Sequence, residues 1–155
     1  MPESQNPQVV QFSVGGRAIP KGRARSSSKN GFVRHYTPKA TSDYEAVIRA
    51  AALVAMNGQP RFEGPVSMSI VVRCKPPLRT SKPRLAAMLA GAVLPTVRPD
   101  LDNVQKGVAD ALNKVVFRDD ADIVHSIGSK RYAAEAGIDV TVRSISHSKD
   151  AGGRD

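Results

Sequence analysis

The sequence has no tryptophan, a single cysteine, and 14 acids against 23 lysines and arginines. A lone Cys74 excludes an internal disulfide and any cysteine-based metal cage; it fits a reducing cytoplasm, with a small buried hydrophobe as its expected role. The longest apolar run, Leu85–Leu94, falls far short of the roughly 18 residues that span a bilayer. The polar start Met1–Gln8 carries no charged-then-apolar signal pattern, so nothing directs the chain to a membrane. His35, His125 and His147 stand isolated from one another, which makes each a surface or strand-face residue rather than a catalytic base. The deficit of acid leaves a net charge of +9, and such a chain seeks polyanions, nucleic acid first among them.

Against that background five acids, Asp100, Asp102, Asp110, Asp119 and Asp120, crowd into residues 100–120. From about Leu101, the spacing of Val104, Val108, Ala111, Leu112 and Val115 predicts a helix with those residues on its core face. At about 100° per residue, Asp102, Lys106, Asp110 and Asn113 gather on the opposite side. Pro99 keeps Arg98 extended before the helix, and Asp102 suits its N-cap. Capping, with i,i+4 pairing of Asp102–Lys106 and Lys106–Asp110 worth a few tenths of a kcal/mol each, accounts for the helical acids taken singly. It does not account for Asp100, which is off the period of the polar face, or for the Asp119-Asp120 pair after the helix. Carboxylates brought together repel unless a cation lies between them. Hard divalent ions such as Mg²⁺ or Mn²⁺ favour oxygen ligands, so the pattern points to a metal site. On this reading either member of the Asp119-Asp120 pair can turn inward.

Asp100-Leu-Asp-Asn-Val-Gln-Lys106, Asp110-Ala-Leu112 and Phe117-Arg-Asp-Asp120, with Ile123 after it, resemble the signature of the RusA family of Holliday junction resolvases. The detailed match covers residues 98–124, and the remainder agrees in the order of strands and helices. The resemblance implies a metal-dependent endodeoxyribonuclease acting on four-way junctions in DNA recombination and repair. It assigns Asp100, Asp102 and Asp120 as ligands of Mg²⁺ or Mn²⁺, with Lys106 beside them in catalysis, and it alone chooses Asp120 over Asp119. It also implies a homodimer, because two symmetric nicks need two active sites related by a two-fold axis.

The rest of the chain reads as one domain over 1–145 with a disordered polar tail over 146–155. Val10, Phe12 and Val14 alternate as in a strand that Gly15-Gly16 ends. Residues 17–39 hold Arg17, Lys21, Arg23, Arg25, Lys29, Arg34 and Lys39 with no acid, broken by Pro, Gly and three serines. With Phe32 and Tyr36 interleaved, this stretch is expected to be a mobile loop that grips DNA through Lys21, Arg23, Arg25 and Arg34. Ser42 and Glu45 form a capping box for a helix whose apolar stripe is Tyr44, Val47, Ile48, Ala51 and Ala55, stopped by Asn57-Gly58. Residues 65–73 alternate as a strand, and Leu85–Ala90 suits a short helix ended by Gly91. Ile123, His125 and Ile127, then Ile138, Val140 and Val142, predict two strands paired antiparallel across Ala133–Gly137. The order gives an α/β or α+β domain, a mixed sheet with helices packed on it.

Two rival readings remain on sequence grounds. A non-catalytic basic DNA-binding protein would use its acids only to cap and solvate a helix. A nuclease of the Pro-Asp…acid-x-Lys type would account for Pro99-Asp100, but there the lysine usually lies on a strand, whereas Lys106 falls on a helix.

Overall fold

In the computed structural model, which describes residues 6–22, 25–36 and 38–146, the alternating segments become four strands of one mixed sheet. Strand β1 spans Val9–Gly15, β4 Val66–Cys74, β5 Ile123–Tyr132 and β6 Gly137–Ser144, in the order β1-β6-β4-β5. Two further strands, β2 (Arg25–Lys29) and β3 (Phe32–Tyr36), pair only with each other. Helices α1 (Lys39–Met56), α2 (Lys82–Leu89) and α3 (Leu101–Leu112) complete the fold, a single α+β domain. Among the described residues no helix is long and apolar enough to cross a membrane.

Registered pairing builds the core as three rungs across β1, β6 and β4: Val10–Val142–Met68, Phe12–Val140–Ile70 and Val14–Ile138–Val72. All nine residues are buried, and α1 and α3 close over them through Tyr44, Ile48, Ala52 and Met56 and through Val104, Val108, Ala111 and Leu112. The stripe of α1 is thus a strict i,i+4 row beginning at Tyr44. Val47, expected on the core face, is exposed, and Ala51 and Ala55 pack at its margin. The helix also begins earlier than the Ser42 capping box requires. Pro38 occupies the N-cap, and the Ser42 hydroxyl donates to the Lys39 carbonyl instead of capping. Its end is as expected, with Asn57 left-handed at φ 48°. Pro83 belongs to the first turn of α2, where its missing N–H costs nothing, so that helix starts three residues before Leu85.

The last two strands do not pair with each other. Strand β4 lies between them, parallel to β5 and antiparallel to β6. The link after β5 crosses the end of β4, where the Ala133 amide donates to the Cys74 carbonyl, and reaches β1, where the Gly16 amide donates to the Ala136 carbonyl. The opposite direction of the two strands was legible from the short link Ala133–Gly137, but neighbourhood was not, because a central strand from elsewhere in the chain can separate two antiparallel ones.

A bulge decides which side of β5 faces inward. Val66 pairs with Ile123 and Ser67 with His125, so Val124 is the extra residue, and every later side chain changes face. Past the bulge Ser126, Gly128 and Lys130 stand level with the core residues Met68, Ile70 and Val72. His125 is exposed, and Ile127, expected beside it on a buried face, is 62% exposed.

The basic stretch is also more ordered than expected. Over residues 25–36 it forms a two-stranded ribbon around Asn30 (φ 56°) and Gly31 (φ 79°), a two-residue turn whose left-handed pair suits Asn-Gly. Arg23 and residues 147–155, most of the expected tail, lie outside the described residues. Order extends at least to Ile145, whose amide donates to the Pro65 carbonyl.

The β6 start tolerates no side chain. A Cβ on Gly137 would meet the Val14 carbonyl oxygen at 2.7 Å and press on the Arg73 guanidinium. Gly137→Ala should therefore lower stability by about 1–3 kcal/mol, read as an earlier midpoint in denaturant unfolding; an unchanged midpoint would mean that β1 and β6 can separate without cost.

Candidate active site

Helix α3 is divided lengthwise. Val104, Val108, Ala111 and Leu112 are buried, while Asp102 and Lys106 are exposed. Asp100, not Asp102, occupies the N-cap position, and Asp102 sits in the first turn, where the helix dipole favours an anion. The Asp100 carboxylate makes no capping bond, and only the distant amide of Asn103, at 3.5 Å, approaches it. Both acids are therefore turned to solvent at the open end of the helix.

After Leu112 the chain doubles back. Lys114 adopts a left-handed conformation, its amide donates to the Phe117 carbonyl, and Phe117 is wholly buried beside Phe62. That anchor fixes where Asp119 and Asp120 emerge, and the pair is divided by local hydrogen bonding. Asp119 spends its carboxylate as the cap of a 3-10 turn over Asp120–Asp122, accepting from the Ala121 amide at 2.8 Å. That bond, followed by one from Asp120, holds the Asp119 carboxyl below its usual range. Asp120 is shifted the other way. Its hydrogen bond to Asp119, partial burial and the charges of Asp119 and Asp110 raise it against the opposing pull of Lys106. The turn that carries Asp120 packs near α3, close enough for the charges of Lys106 and Asp110 to act on it, and Asp102 lies one turn, about 6 Å along the axis, from Lys106. Among the described residues no three His, Cys, Asp or Glu side chains stand at ligating distance from a common point. Like charges held on one ridge keep apart.

Asp110, absent from the expected ligand set, is held by two lysines. Lys21 makes a close ion pair with Asp110 Oδ2 and lies 3.3 Å from Glu45 Oε1, while Lys106 Nζ is 3.6 Å from Asp110 Oδ1, beyond hydrogen-bonding range. Burial would lower the Lys21 pKa, but the bond and charge of Asp110, then those of Glu45, outweigh it and raise the group. Lys21 is the closer partner of Asp110, and Lys106, paired with it more loosely, keeps a largely exposed ammonium. Lys21, grouped in the sequence with the DNA-gripping cations, thus turns inward onto carboxylates. Its amide also donates to the Asn103 carbonyl, so this segment is laid along α3. Arg25 and Arg34 fall on the two strands of the ribbon, opposite Tyr36 and Ser27 respectively.

The inward face of β5 completes the support. Gln105 donates to the Ser126 hydroxyl at 3.1 Å, and Gly128 lets α3 come close, since a Cβ there would meet Gln105 at 2.8 Å and Leu101 at 3.0 Å. Lys130 Nζ donates to the carbonyls of Val97 at 2.5 Å and Pro99 at 3.1 Å, the segment leading into Asp100. No sequence signal marked Lys130, which stands on a strand remote from the motif and reaches it only through the bulge. Lys130→Met keeps the stem and removes the ammonium; it should speed amide exchange over residues 97–104 by about tenfold while β4 and β6 stay protected. Equal protection in both proteins would show that Pro99 and the helix hold the segment unaided.

These features agree with two comparisons. A family profile described as Endodeoxyribonuclease RusA matches residues 15–143. Uncharacterized protein YqaN of Bacillus subtilis (strain 168) is 35% identical over 141 residues, which is 88% of this chain and 97% of that protein. The match begins at the last residue of β1 and spans the ribbon, all three helices, β4, β5, nearly all of β6 and the acidic stripe together, and the chain belongs to the RusA endodeoxyribonuclease family.

Proposed function

We propose that this chain is a Mg²⁺- or Mn²⁺-dependent endodeoxyribonuclease that resolves four-way DNA junctions in recombination and repair, working as a homodimer. The observation that carries the reading is the acidic end of α3: Asp100 at its N-cap, Asp102 one turn before Lys106, and Asp120 on the turn after the helix, near enough to feel the charges of Lys106 and Asp110. Asp100, Asp102 and Asp120 offer carboxylate oxygen alone, the donor set hard divalent ions take. The upward shift of Asp120 beside other acids is the mark of a site that a cation would relieve.

A bound divalent ion supplies charge neutralisation at the scissile phosphate and a more acidic attacking water. Lys106 places its ammonium against a non-bridging phosphate oxygen, where negative charge grows as the water oxygen adds to phosphorus. The entering water gives up a proton to solvent, one phosphorus–oxygen bond to a sugar breaks, and the departing oxygen takes up a proton from solvent. No side chain need form a covalent intermediate. The site is an open ridge, which suits a duplex backbone better than a small molecule. Arg23, Arg25 and Arg34 of the basic stretch contact phosphates away from the cut, and Lys21 holds the root of that stretch on α3.

Asp102→Asn separates this reading from a DNA-binding protein without catalysis. It should abolish Mg²⁺-dependent cleavage by orders of magnitude, leave junction binding in EDTA unchanged or tighter, and move stability by no more than about 1 kcal/mol, the size of a helix-dipole contact. Cleavage near the unaltered rate would sink the assignment. Junction affinity should also fall steeply with salt, with a log–log slope of about −0.9 per neutralised phosphate. A flat titration would remove the basic stretch from the interface.

A further inference from the structure

Three of the four phenylalanines, Phe12, Phe62 and Phe117, are core residues, and the fourth is not. Phe32 is 76% exposed and Val33 beside it 62% exposed, both next to the Asn30-Gly31 turn at the tip of the β2–β3 ribbon. Consecutive strand residues point to opposite faces, so the tip carries one apolar group on each side. An isolated exposed hydrophobe is ordinary. A two-sided apolar tip on a ribbon whose described side chains, at 26–28 and 30–33, are all exposed is not, since two strands alone are marginal in water.

The surroundings identify what meets the tip. Residues 17–39 contain seven cations and no acid, and by backbone register positions 25, 27, 29, 32, 34 and 36 fall on one side of the ribbon, three of them cationic and two aromatic in the sequence. An identical ribbon would be repelled. The feet are fastened beside the acidic stripe: the Lys21 amide bonds the Asn103 carbonyl, and the Gly22 amide donates to the Thr41 hydroxyl at 3.2 Å. A polyanion lying along α3 therefore passes the ribbon, and a nucleic acid, unlike a lipid surface, also offers flat faces to an aromatic ring.

Resting on the junction-cleaving reading above, we propose that the ribbon tip is a wedge that recognises the branch point, with Phe32 stacked on a base left unstacked there and Val33 against the opposite neighbour. Duplex arms, whose bases are already stacked, give the tip nothing to enter except at an unstacking cost.

The absence of tryptophan makes the test specific. In EDTA, where nothing is cut, the emission of a Phe32→Trp variant should be quenched by a four-way junction and much less by a linear duplex of equal length. Phe32→Ala should bind the junction about tenfold more weakly while holding the duplex to within about twofold. Equal quenching by duplex and junction, unchanged junction affinity of Phe32→Ala, or an emission shift with anionic phospholipid vesicles or with protein concentration alone would each overturn the wedge. Cleavage by the unaltered protein in Mg²⁺ is scored separately. Junction-specific quenching without cleavage would uphold the wedge and fail the nuclease reading, and cleavage without such quenching would do the reverse.

Discussion

Burial of Val104, Val108, Ala111 and Leu112 fixes the rotation of α3 about its axis, and with it the direction of every acid on the opposite side. Each large aliphatic side chain removed from water is worth about 1.5–3 kcal/mol. Repulsion between two exposed charges some 4 Å apart costs about 1 kcal/mol in water. The packing term is the larger, so the fold can keep Asp102 and Asp110 on one side of α3 against their mutual repulsion.

Charge is then apportioned by neighbours and not by residue type. Asp119 and Asp120 are adjacent and chemically identical, yet one is consumed as the cap of a 3-10 turn and shifted down, and the other, hydrogen-bonded to it and partly buried, is shifted up. Lys21 and Lys106 both approach Asp110, but only Lys21, shielded between Asp110 and Glu45, is committed to it. Glu45, read in the sequence as part of a capping box, serves that ion pair instead, because the helix begins at Lys39 and leaves it in the second turn.

The acidic helix was legible because everything defining it is local: a period of apolar residues, a proline before it, and acids at short spacing. Where an assignment needed information from another part of the chain, the residues did not supply it. The alternation in β5 reads equally well in either phase, and the phase is set by a one-residue bulge opposite Val66 and Ser67. The pairing of β5 with β4 instead of β6 depends on which strand occupies the sheet centre. The ribbon is a different matter, since Asn30-Gly31 between short alternating runs is a hairpin signal, obscured by the serines and the density of charge. Lys130 and Lys21 as supports of the site were beyond reach, each meeting its partners only through the tertiary fold.

That dependence on distant support bears on how the acidic ridge and the basic ribbon work together. A two-stranded ribbon has too little core to order itself, so its geometry is that of its feet. One foot lies on α3 through the Lys21 amide and the Lys21–Asp110 pair, and the other enters α1, which packs on α3 and whose Arg49 donates to the Ala111 carbonyl. Both ends of the ribbon are thus referred to the helix that carries the carboxylates, while the sheet supports that helix from below. A nucleic acid strand on the ribbon, as proposed above, would be positioned relative to Asp102 and Lys106 directly, without the register of β1, β6 and β4 entering the geometry.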